Sequence, residues 1–145
     1  MCIIIDANAG HEIASQPAHR DAVPVLNWLA SKRGFLVLGG RLTKELHETP
    51  FRRIIVQLAR AGATRIYRAE QLDRAEADLR GSRLCTSNDL HVIALALISG
   101  ARVLYSRDRR LQADFRSSQV INNPRGHVYS SANHEHLLRE ASPCR

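Results

Sequence analysis

At 145 residues the chain suits one domain that buries roughly two-thirds of its unfolded surface, so it needs no staple to hold a core. Its 44% hydrophobic and 24% charged residues exclude a wholly disordered chain, and no apolar run reaches the ~18 residues of a membrane span. The formal charge is +7; 19 of the 21 basic residues are arginine, Lys32 and Lys44 being the others, which suits a polyanionic partner unless it merely reflects genomic base composition.

Cys2-Ile3-Ile4-Ile5, stopped by Asp6, reads as a strand buried on both faces of a parallel sheet. Residues 18–32 carry Val23, Leu26, Leu29 and Ala30 near helical spacing, with Pro24 kinking the helix or marking its start. Phe35-Leu36-Val37-Leu38 is a second strand closed by Gly39-Gly40, and 42–47 a short helix. Pro50 fits the start of another helix, running to Gly62. Residues 64–67 read as a third strand and 69–80 as an amphipathic helix ended by Gly81. Ser87 or Asn88 suits the N-cap of an apolar helix over 89–99, stopped by Gly100. Val103-Leu104-Tyr105 is a strand and 109–115 a short helix. Residues 117–126 form a loop, Val128-Tyr129 an edge strand and 134–140 a terminal helix. Strands alternating with helices predict a single α/β domain over 1–145, with a parallel or mostly parallel sheet and helices on both faces.

The opening residues offer neither a basic leader nor a long apolar stretch, so a cytoplasmic chain is expected. Cys2, Cys85 and Cys144 are an odd number without CxxC spacing and read as free thiols.

The acids are distinguished by placement. Asp6 follows the first strand, Asp108 lies just past the strand 103–105, Asp89 sits in the first turn of the apolar helix, and Glu45 on the short helix after Gly39-Gly40. In open α/β sheets, ligands bind beyond the carboxyl ends of strands. Each acid also has a local reading: Asp6 and Asp108 as helix caps, Asp89 as a complement to the helix dipole, Glu45 as a solvated residue. If they converge, their mutual repulsion calls for a divalent cation, and all-oxygen ligation favours Mg²⁺ or Mn²⁺ over zinc. A carboxylate cluster on a basic chain without a phosphate-cradling glycine loop points to phosphodiester hydrolysis.

These segments resemble a PIN domain. The matching residues are Ile3-Ile4-Ile5-Asp6-Ala7-Asn8, Leu42-Thr43-Lys44-Glu45-Leu46, Ser87-Asn88-Asp89-Leu90-His91-Val92-Ile93-Ala94-Leu95-Ala96 and Leu104-Tyr105-Ser106-Arg107-Asp108-Arg109-Arg110-Leu111, covering about the first 115 residues. The resemblance implies a Rossmann-like fold and a Mg²⁺- or Mn²⁺-dependent ribonuclease acting on single-stranded RNA. Asp6, Asp89 and Asp108 would be metal ligands and Glu45 would bind or orient water, while Ser106, Asn8 and Asn88 would support them. Short single-domain members are often VapC-type toxins, so a small antitoxin and a homodimer are expected partners.

Arg107, Arg109 and Arg110 flank Asp108 and lie along the expected RNA path, unless they solvate a helix face; His11 lies close to the expected mouth. His91 faces either substrate or core, and the pair His134 and His136 reads as surface. Asp114 is either an extra acid or a surface residue. A phosphorylation receiver fits poorly, having neither an acidic pair after the first strand nor a late lysine. A DxDxT phosphatase is excluded by Asn8. The remaining rival is a PIN-like scaffold that binds RNA or a protein without cutting.

Overall fold

A computed structural model describes residues 1–145. Five strands, β1 (Cys2–Ile5), β2 (Phe35–Gly39), β3 (Thr64–Tyr67), β4 (Val103–Tyr105) and β5 (His127–Tyr129), form one all-parallel sheet in the order β3-β2-β1-β4-β5. The expected α/β fold is therefore present, as a Rossmann-like arrangement. β1 is central and all four of its residues are buried, which explains why it lacks apolar–polar alternation. At the edge, β3 leaves Ile66 largely exposed.

Eight helices connect and flank the strands: α1 (Ala7–Ala14), α2 (Val23–Ala30), α3 (Gly40–His47), α4 (Arg52–Arg60), α5 (Ala69–Ser82), α6 (Leu90–Ser99), α7 (Arg109–Arg116) and α8 (His136–Arg139). The chain steps outward from β1 through β2 to β3, then returns to the far side of β1 for β4 and β5. Because parallel crossovers are right-handed, this reversal puts the connections of the two halves on opposite faces. It also makes the gap between β1 and β4 the topological switch point, where ligands bind in such sheets.

Local chemistry explains most boundaries. Pro24 marks the start of α2 and does not kink it, since its missing N–H costs nothing in a first turn. Gly40 opens α3 at φ +54°, a conformation side chains resist. Gly81 does not end α5: the helix continues to Ser82 and closes at Arg83 in the left-handed region. At α6 the N-cap position belongs to Asp89, and Ser87 instead accepts from the Asp89 N–H through its hydroxyl at 2.9 Å. The terminal helix is shorter than its sequence suggests, a 3-10 turn over Ala132–His134 preceding α8. No helix is long and apolar enough to cross a membrane.

The reading of three free thiols is corrected. Cys2 and Cys144 form a disulfide with Cα atoms 5.5 Å apart, leaving Cys85 free. The pairing arises because the C-terminal tail returns to the start of β1, where the Cys2 N–H donates to the Ser142 carbonyl at 3.0 Å. A separation of 142 residues gives no motif spacing to read.

Candidate active site

Asp6 stands one residue beyond β1, directly across the switch point from β4. Its N–H donates to the Tyr105 carbonyl at 2.9 Å, so the sheet itself fixes its position. The residue is only 5% exposed. Oδ1 accepts from the Ala7 N–H at 2.8 Å, capping α1, and Oδ2 accepts from the Ser106 hydroxyl at 2.9 Å. Ser106, fully buried just past β4, also accepts from the Asp108 N–H at 3.1 Å through the same Oγ. This one hydroxyl ties the two strand-end acids to one another.

Asp108 caps α7, accepting from the N–H groups of Arg110 and Leu111 at 2.9 and 3.1 Å. Asp89 heads α6 without a side-chain cap. Glu45 lies on α3, its Oε2 3.2 Å from Nε2 of His91. The local cap readings of Asp6 and Asp108 are thus true of both residues, while leaving each with a place at the same sheet edge.

The acids act on one another electrostatically: Asp89 and Glu45 on Asp6, and Asp108 and Glu45 on Asp89. Burial pushes the Asp6 carboxyl up; Ser106 and the Ala7 N–H draw it down; Asp89 and Glu45 push it up further, leaving it above its ordinary value. Burial likewise raises Asp89, with His91 opposing and Asp108 and Glu45 reinforcing the rise. Partly buried carboxylates that also repel one another are relieved by a cation. The donor set is all oxygen, which matches a hard divalent ion in kind. It is not a closed cage: no three His, Cys, Asp or Glu side chains are arranged to hold a metal ion.

The remaining expected site residues divide. Asn8 lies at the mouth, its Oδ1 accepting from the Arg107 N–H at 3.2 Å. Asn88, Arg109, Arg110 and His11 are exposed, and Asn88 makes no side-chain hydrogen bond to the acids.

Arg107 is a correction: its guanidinium is already engaged within the protein. Nε and Nη2 grip the two oxygens of Glu12 at 2.7 and 2.9 Å, and Nη2 also reaches Asp21 at 3.1 Å. Nη1 donates to the Ser130 carbonyl. Tyr105 completes the knot by donating to Glu12 at 2.5 Å. With four of its five N–H donors engaged, this side chain acts as a strut joining α1, the segment before α2, and the chain after β5, in place of a free phosphate ligand. Asp114 is likewise structural. It is 3% exposed and accepts from the Thr86 N–H, the Thr86 hydroxyl and the Ser87 N–H at 2.8–3.0 Å, anchoring the loop before α6.

His91 supplies a link that sequence reasoning left open. It is 6% exposed and bridges Glu45 to Arg41, whose Nη2 lies 3.1 Å from Nδ1 and 2.9 Å from Glu76. Arginine can only donate, so Nδ1 accepts and Nε2 carries the proton donated to Glu45. The sequence signal was a lone polar residue among apolar neighbours on α6, two positions after Asp89.

Comparisons with protein-family models, curated proteins and solved structures return no match.

Proposed function

We propose that this chain is a divalent-cation-dependent endoribonuclease that hydrolyses single-stranded RNA, as its resemblance to PIN domains implies. The observation supporting this most directly is that Asp6 and Asp89 are both raised, chiefly by burial and further by the acids among Glu45, Asp89 and Asp108 that act on each. The resemblance would assign the ion to Asp6, Asp89 and Asp108, although the three are not arranged as a ready ligand set. A bound Mg²⁺ or Mn²⁺ supplies neutralising charge for the phosphodiester and acidifies a nearby water.

The side chains divide the remaining work. Ser106 fixes Oδ2 of Asp6 and the backbone at Asp108 through one hydroxyl, so the two strand-end acids move together. His91 holds Oε2 of Glu45, leaving Oε1 free to orient a water and take its proton. That water's oxygen forms a bond to phosphorus as the P–O3′ bond breaks. The products carry a 5′-phosphate and a 3′-hydroxyl, the proton passing to the departing oxygen. The exposed Arg109 and Arg110 are available to the RNA backbone.

The toxin role, a small antitoxin, a homodimer and a cytoplasmic setting belong to the same proposal, and growth arrest on induction, relieved in Asp6→Asn, is its cellular test. One observation favours a second reading. The acids do not form a ready ligand cage, which suits a scaffold that binds RNA or a protein without cutting it. The deciding experiment incubates purified protein with a mixed RNA pool. Cleavage with Mn²⁺, abolished by EDTA and absent in Asp89→Asn, supports the nuclease; intact RNA with Mn²⁺ supports the scaffold.

A further inference from the structure

A cluster of basic side chains, two arginines and three histidines, lies away from the four acids. Arg116 ends α7, Arg125 and Gly126 precede β5, His127 begins that strand, and His134 and His136 come from the turn and helix after it. Together they line a cavity of about 370 Å³ with no acid in its wall. None of the five basic side chains belongs to an ion pair; the molecule's ion pairs draw on His19, Arg41, Arg80, His91 and Arg107. Glu135 and Glu140 are close in sequence, yet neither forms an ion pair with this group.

The cavity has fixed parts. Gly126 packs so tightly that a Cβ there would stand 2.1 Å from the Phe115 carbonyl oxygen, so the chain before β5 lies flush against the end of α7. Arg125 is tethered by donation from Nη2 to the Arg116 carbonyl at 3.0 Å. Nδ1 of His134 accepts from the Ser130 N–H at 3.1 Å, which makes its Nε2 a donor even in the neutral ring. The exposed Arg116 side chain makes no hydrogen bond within the protein and keeps its full fork.

The two unpaired arginines, Arg116 and Arg125, focus positive potential into the concavity, where an anion relieves it, and the three imidazoles add ring N–H donors. The guanidinium groups of Arg116 and Arg125 suit an oxyanion, and the several acceptor oxygens of a phosphoryl group can take donors from arginines and imidazoles on different sides of the cavity. We propose that this cavity is a phosphate-oxyanion site distinct from the acidic notch, about 12 Å along α7 from Asp108 at 1.5 Å per residue. It stands independently of the nuclease reading, because none of its residues belongs to the notch. Free phosphate and an RNA backbone phosphate share the chemistry required.

The test is an amide-resolved NMR titration of the full chain with inorganic phosphate, against chloride at matched ionic strength. The proposal predicts saturating shifts at Gly126, His127 and Val128. Arg116→Ala and His136→Ala are each expected to weaken binding about tenfold, the share of one charge-assisted contact, with melting unchanged. Arg60→Ala, exposed on α4, is expected to leave it intact. Non-saturating shifts, or equal weakening by Arg60→Ala, overturn the site as surface charge alone. A short single-stranded RNA added in EDTA separates the two sources: competition with phosphate assigns the cavity to the nucleic-acid backbone, and its lack assigns it to a free oxyanion.

Discussion

Replacing Arg107 by alanine separates its role as a strut from that of an RNA ligand. The substitution removes a two-pronged pair with Glu12 and a contact with Asp21, whose side chains are 22% and 12% exposed. Stranding buried charges costs about 3–5 kcal/mol when solvent is fully excluded; with Arg107 about a third exposed, screening brings this to about 2 kcal/mol. For a chain of this length that corresponds to a melting point lower by about 5–8 °C. The pH dependence follows from the carboxylates. Burial pushes Glu12 up, but hydrogen bonds from Arg107 and Tyr105 outweigh it and leave the group below its ordinary 4.5. The Ala132 N–H, with Arg107 adding, holds Asp21 below 3.8 against burial. Folded values below unfolded ones mean stabilisation that is complete above the ordinary carboxylate range and lost as pH falls through the depressed values. The gap between wild type and Arg107→Ala is therefore expected to be widest near neutrality and to narrow below about pH 4. Thermal melts at pH 7 and pH 3.5 measure both. An unchanged melting point at pH 7, accompanied by weaker RNA binding, would refute the strut and restore Arg107 to the RNA path.

Two further tests concern other side chains. His91→Leu removes the donor to Glu45 and is expected to lower kcat for RNA cleavage by about tenfold or more with KM unchanged; His91→Gln, which keeps an N–H donor at the end of the side chain, should recover much of that loss. Equal behaviour of the two variants contradicts a positioning role. Thiol titration of native protein kept under oxidising conditions should find only Cys85, and slowly, because burial and nearby Asp114 push its thiol up to about 11. Fast reaction of Cys2 or Cys144 without reductant contradicts the disulfide.

Much of the fold was legible because it rests on local chemistry. The β-branched run at Cys2–Ile5, the strand Val103–Tyr105 with its acid three residues on, and Gly100 after α6 each carry a short-range signal that the fold keeps. The end of α5 was misread because Arg83 takes the left-handed turn usually given to glycine. Of the site, Asp6 and Asp108 could be placed at strand ends, Asp89 at a helix start and Glu45 on a short helix from sequence. What could not be read was competition for partners. Arg107 looked free beside Asp108, but Glu12 is 95 residues away in sequence and beside it in space. Asp114 and His91 were ambiguous for the same reason, their partners lying on other elements. The Cys2–Cys144 pairing depends wholly on where the tail returns.

The most direct measurement is Mn²⁺ titration of the purified chain, followed by calorimetry or by loss of the free-ion electron paramagnetic resonance signal. Crowded carboxylates at the switch point predict saturable binding that disappears in Asp6→Asn and in Asp89→Asn while both variants melt as cooperatively as wild type. Binding of equal strength in wild type and both variants would place the ion elsewhere and contradict the acidic notch as its site.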